Sequence, residues 1–90
     1  MAESLTVDIV APDSVLWAGQ AERVSAPTVE GEIGLLANHE PILSVLGAGN
    51  VRVRGIDGQD HSFAVAGGFI SFDHNTITVV VDEALPDQVE

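Results

Sequence analysis

Ninety residues carry 14 acidic side chains against three arginines and no lysine, a formal charge of -11, with 46% apolar residues and no cysteine. A chain of this size supports one core, and its apolar fraction lifts it out of the disordered regime. Lacking cysteine, it has no disulfide, thiolate metal site or cysteine nucleophile, its negative field opposes nucleic-acid phosphate and anionic lipid, and no window approaches the ~20 apolar residues that span a bilayer.

Period-two alternation dominates from the start. Leu5, Val7 and Ile9 alternate with Thr6 and Asp8, and Ala11-Pro12-Asp13 then reads as a turn. Val15-Leu16-Trp17 precedes Ala18-Gly19, a second turn signal; Trp17 fits either half-buried packing or an interface anchor. Glu30-Gly31 marks the next turn. Residues 41–46 match helical spacing through Ile42, Val45 and Leu46, but six residues are too few for a helix.

Gly47-Ala48-Gly49-Asn50 is a further turn, after which Val51 and Val53 alternate with Arg52 and Arg54. Asp57-Gly58 fits a type I′ hairpin turn, because that turn needs positive φ at both central residues. Phe63 and Val65 continue the strand pattern, and Gly67-Gly68 reads as a bulge or sharp bend within it. Ile70 and Phe72, the turn Asp73-His74-Asn75, and Ile77, Val79 and Val81 complete the series. The expectation is an all-β fold, an antiparallel β-sandwich of about eight to ten short strands. It occupies residues 1–84, and residues 85–90 form a short acidic tail that frays. The opening Met1-Ala2-Glu3-Ser4 lacks the basic region of a secretion signal, so a soluble intracellular domain is expected.

Chemistry-bearing patterns are sparse. His39, His61 and His74 lack the close spacing of a zinc motif, and the paired histidines of a cupin-type enzyme are missing. His39-Glu40 with Ser44 offers a nucleophile and base, yet no oxyanion-hole glycine signature accompanies them. Gly31, Gly34, Gly47 and Gly49 precede no Gly-Lys-Ser/Thr and make no phosphate loop. No cofactor follows from the residues. Arg52 and Arg54 share one strand face and fit pairing with the chain's own carboxylates better than an external anion.

The densest signal is Glu30-Gly31-Glu32-Ile33-Gly34-Leu35-Leu36 through His39-Glu40-Pro41-Ile42-Leu43, an apolar run framed by acids, two glycines and a proline. Its apolar residues fit either a contact surface or a fully buried strand pair. This stretch resembles the epsilon subunit of F-type ATP synthase. Further matches, in order, are Leu5-Thr6-Val7-Asp8-Ile9-Val10, Trp17-Ala18-Gly19, Arg23-Val24, Gly49-Asn50-Val51-Arg52-Val53, Ala66-Gly67-Gly68-Phe69-Ile70 and Ile77 to Ala84.

That resemblance implies a non-catalytic rotor subunit of the central stalk. Its amino-terminal β-sandwich attaches to the gamma subunit and rests on the polar loops of the c-ring, coupling them in proton-driven ATP synthesis. Glu30, Gly31 and Glu32 would face the c-ring loops, and Ala11, His39, Pro41, Ile42 and Ser44 would lie toward gamma. The protein would be peripheral, at the cytoplasmic face of the cell membrane, with no direct insertion; exposed Ile42 and Leu43 would favour weak self-association when gamma is missing.

Two departures stand out. Ala37-Asn38 replaces the family's usual proline-glycine pair, and many members continue into two carboxy-terminal helices that inhibit ATP hydrolysis and in some cases bind ATP, whereas this sequence stops near Glu90, so neither property is carried over. The rival readings are a small β-sandwich or β-barrel enzyme or metal-binding protein using His39 and Glu40, and a free-standing adhesion or ligand-binding sandwich.

Overall fold

In β1 (Leu5–Ala11), Leu5, Val7 and Ile9 are fully buried while Thr6 faces solvent, so the alternation of the sequence becomes one apolar and one polar face. The computed structural model describes residues 4–82. Seven more strands follow: β2 (Ser14–Thr28), β3 (Gly31–Leu36), β4 (Ile42–Leu46), β5 (Gly49–Gly55), β6 (Asp60–Val65), β7 (Gly68–Asp73) and β8 (Thr76–Val81). No helix occurs among the described residues. The tail expected at 85–90 lies outside them.

β2 organises the fold. At about 3.3 Å per residue its 15 residues would extend to roughly 50 Å, more than the 37 Å long axis of the molecule, so it must bend. Register shifts locate the bending: Leu16 is skipped between the pairs Ile9↔Trp17 and Val10↔Val15, and Glu22 between Ala21↔Gly55 and Arg23↔Arg54. The first half of β2 pairs with β1, in a sheet ordered β4-β7-β8-β1-β2. The second half pairs with β3 on one side and β5 on the other, in a sheet ordered β3-β2-β5-β6. Thr28↔Leu46 joins β2 back to β4. The inner faces of both sheets supply the core, with Phe72, Leu5, Ile9, Leu35, Ile70 and Ile77 its largest sealed side chains.

Several local expectations change. β1 and β8 run parallel, which short hairpins cannot produce; these strands lie at opposite ends of the chain, so the whole intervening fold serves as their connection. Ala18-Gly19 is no turn, because β2 runs straight through it. The Trp17 ring lies over Gly19, where an added Cβ would stand 3.0 Å from Cη2, so this glycine makes room for an aromatic ring. The 41–46 segment is strand.

The type I′ expectation belongs to a different hairpin. At β5–β6 the Gly58 amide donates to the Gly55 carbonyl (2.9 Å); Gly58 has φ 86°, and Asp57 is not among the positive-φ residues. That is a three-residue loop built on a type I turn. His74 (φ 51°) and Asn75 (φ 59°) instead make the two-residue turn between Asp73 and Thr76. Gly68 sits at the start of β7 after a break, not inside a continuous strand, with φ 131° and an added Cβ only 2.0 Å from the Val80 carbonyl oxygen. Backbone therefore approaches backbone closely there.

Candidate protein-docking surface

The β2–β3 hairpin forms a braced tip. Thr28, buried at the strand end, donates through Oγ1 to the Gly31 carbonyl (2.5 Å) and accepts from the Glu30 amide (3.2 Å). Gly31 takes φ 123°, a conformation side chains disfavour. The Val29 amide donates to the Val45 carbonyl (3.0 Å) and the Gly47 amide to the Pro27 carbonyl (3.0 Å), tying the tip to β4. Glu30, Gly31 and Glu32 are all exposed there. Glu32 is not wholly free, since one oxygen lies 3.7 Å from Arg52.

The residues expected toward gamma lie at separate places. Ala11 ends β1, His39 and Pro41 lie in the β3–β4 loop, and Ile42 and Ser44 are half-buried on the inward side of β4. The His39 ring packs edge-on against Phe72, 5.6 Å between centroids, and its Nδ1 lies 2.7 Å from the Glu40 carbonyl oxygen. The loop is set by a Leu36–His39 turn (3.2 Å) in which Asn38 has φ 71°, its amide donating to Asn75 Oδ1 (2.6 Å). Asn38 thus supplies the positive φ that a glycine would bring there.

The run Ile33 to Leu43 is neither wholly a contact surface nor wholly sealed. Leu35 is in the core, Ile33 and Ile42 are half-buried against it, and Leu36 and Leu43 are exposed on different sheets. What the sequence reading missed is larger. The cross-strand pairs Val15↔Val10, Val10↔Val80, Val80↔Phe69 and Phe69↔Val45 place an apolar row across the outer face of the first sheet. Val29 hydrogen-bonds at its end and Leu43 flanks it. Leu43 is 77% exposed and Phe69 45%, and Val29, Glu30, Leu43, Ser44, Val45 and Phe69 line a groove of about 490 Å³. An apolar band therefore crosses five strands and ends at an acidic tip.

Elsewhere, Arg52 and Arg54 pair with Glu32 and Asp60 as the residue pattern suggested. Asp60 is held below its ordinary value by its hydrogen bond from Arg54, with the charges of Arg54, Arg23 and His61 adding to that and desolvation opposing it. His74 is solvent-facing at its turn, but His61 is half-buried, its ring 5.2 Å from that of Trp17, so Trp17 is a packing residue. Among the described residues no three His, Asp or Glu side chains gather as a metal site would require, and no helix is long and apolar enough to cross a membrane.

Residues 4–87 match the family model of the ATP synthase delta/epsilon chain, β-sandwich domain. The chain is 46% identical over 84 residues to an ATP synthase epsilon chain of Micrococcus luteus, covering 93% of this chain and 91% of that one. It is 42% identical over 91 residues to that of Streptomyces avermitilis, spanning 73% of its length, and 40% identical to that of Lactiplantibacillus plantarum, spanning 60%. Among solved structures, a chain of the Euglena gracilis mitochondrial ATP synthase (OSCP/F1/c-ring) superposes with TM-score 0.85 at 24% identity, over 92% of this chain and 53% of that one. One from the central stalk and c-ring of the Tetrahymena thermophila mitochondrial ATP synthase gives TM-score 0.74 at 20% identity, over 99% and 75%. At those identities the structural likeness is one of fold.

Proposed function

The chain belongs to the ATP synthase delta/epsilon family, on its epsilon-chain side, and from that premise we propose that it is a rotor part joining the gamma subunit to the c-ring. It performs no chemistry; its task is to hold two neighbours in register while the central stalk turns, in proton-driven ATP synthesis at the cytoplasmic face of the membrane. The observation that carries this reading is the outward apolar row Val10, Val80, Phe69 and Val45, half-buried at the two former and exposed at the two latter, with exposed Leu43 beside it. A permanent partner would bury that surface, and gamma is the partner that the family membership suggests.

The tip is the second contact. Glu30, with Gly31 and the half-paired Glu32, would meet basic c-ring loops, where charge complementarity sets orientation and encounter rate more than affinity. Ala11, Ile42 and Ser44 face inward behind the row, next in sequence to Val10, Leu43 and Val45, and would support the gamma side from beneath, with His39 and Pro41 at its flank. Co-purification with the gamma subunit tests the assignment. Val45→Glu and Phe69→Glu, each placing a carboxylate in the row, should abolish capture, whereas Asp13→Asn in the β1–β2 turn should leave it intact. Undiminished capture of both glutamate variants would overturn the reading.

A further inference from the structure

All three arginines of the chain, its whole complement of lysine and arginine, lie on the outer face of the second sheet. The registers place them in two adjacent rows. Leu36, Arg23, Arg54 and Asp60 cross β3, β2, β5 and β6 in one; Gly34, Ser25, Arg52 and Ser62 cross them in the next. Together they line a trough of about 590 Å³ whose centre is floored by Gly34, Ser25 and Ser62. Above Gly34 the space is open, since an added Cβ would meet nothing within 4 Å.

The three guanidinium groups are not equivalent. Arg54 is spent on Asp60, donating from both Nε and Nη2. Arg52 meets only one distant oxygen of Glu32 at 3.7 Å, and its side chain is 65% exposed. Arg23 forms no ion pair or hydrogen bond with any described side chain. Arg23 and Arg52 are diagonal neighbours on paired strands, a spacing of about 7–8 Å that two carboxylates of one peptide can bridge. Leu36, exposed beside Arg23, adds an apolar contact.

We propose that this trough is a second docking surface, separate from the apolar row, that takes an acidic segment of a partner protein through Arg23 and Arg52 with an aliphatic side chain against Leu36. A sheet face suits a peptide better than a free polyanion. Its backbone amides are consumed by strand pairing, leaving no cradle of N–H donors for phosphate, and guanidinium forks match carboxylates in pairs. At physiological ionic strength screening acts within about 8 Å, so the trough is governed by its own charges, three arginines against Asp60 and Glu32, more than by the carboxylates farther away.

The probe is a fluorescein-labelled peptide of alternating glutamate and leucine, titrated into the purified protein and read by anisotropy. Saturable binding is expected, weakened about tenfold by Arg23→Gln and again by Arg52→Gln, and unaffected by Leu43→Ala on the opposite sheet. Both arginines are exposed, so the variants should melt with the parent. A peptide with lysine in place of glutamate should not bind. The proposal falls if binding is absent, if the two arginine variants bind as the parent does, or if inorganic phosphate or ATP displaces the peptide at equal concentration, which would mark a general anion site. The gamma capture experiment does not touch these residues, so either result stands without the other.

Discussion

Leu43 offers a quantitative test of whether the first sheet's outer face is an interface. It is 77% exposed, and full burial of a leucine side chain is worth about 1.5–3 kcal/mol. Most of that remains to be gained on docking, so Leu43→Ala should weaken gamma binding by about 1–2 kcal/mol, roughly fivefold to thirtyfold in Kd. The free domain should scarcely notice, with a melting shift of under about 3 °C. Leu46, three residues along the same strand but 2% exposed, should behave oppositely. Leu46→Ala removes core contacts worth about 2–5 kcal/mol and should lower the melting temperature by at least about 8 °C. Calorimetric titration against purified gamma, with melting followed by circular dichroism, reads both quantities. If Leu43→Ala binds gamma like the parent while shifting the melt, the residue serves the fold and the interface assignment fails.

Three further outcomes are expected. Gly68→Ala should destabilise by about 2–5 kcal/mol, because its φ of 131° and the Val80 carbonyl both oppose a side chain; Gly58→Ala, at φ 86° with open space around it, should cost about 1 kcal/mol, and equal melting shifts would contradict the distinction. Glu30→Gln with Glu32→Gln should weaken docking to isolated c-rings more at low salt than at high salt, and an equal loss at both would argue against a charge-based contact. Asp60 should titrate below its ordinary 3.8 in a carboxyl NMR experiment and return toward it in Arg54→Gln. Since the folded value is the depressed one, its contribution to stability is present above 3.8 and lost as pH falls through the lowered value.

The strands with one polar face were legible because their alternation is unbroken, as in Leu5-Thr6-Val7-Asp8-Ile9 and Val51-Arg52-Val53-Arg54. The apolar row was legible in principle. It lies where alternation fails, at Ile9-Val10-Ala11, Val79-Val80-Val81 and Phe69-Ile70, because a strand with two apolar faces prints as a continuous run. Seeing that these runs align needed the registers, and the β1–β8 pairing that joins Val10 to Val80 spans nearly the whole chain. The trough was hidden for a related reason: Arg23 and Arg52 are 29 positions apart and meet only through the β2–β5 pairing. Glycines misled locally, since Gly19 accommodates a ring and Asn38, His74 and Asn75 adopt the backbone angles that glycine usually provides.

Because one continuous strand serves both sheets, its residue count is fixed in a way that no loop length is. One residue added to β2 beyond Glu22 would send Val24 and Ala26 to solvent and Ser25 inward, or else pull the Val29 and Gly47 amides off their acceptors. The ruler that spaces valine band, arginine trough and acidic tip therefore cannot change by a single notch without undoing their alignment.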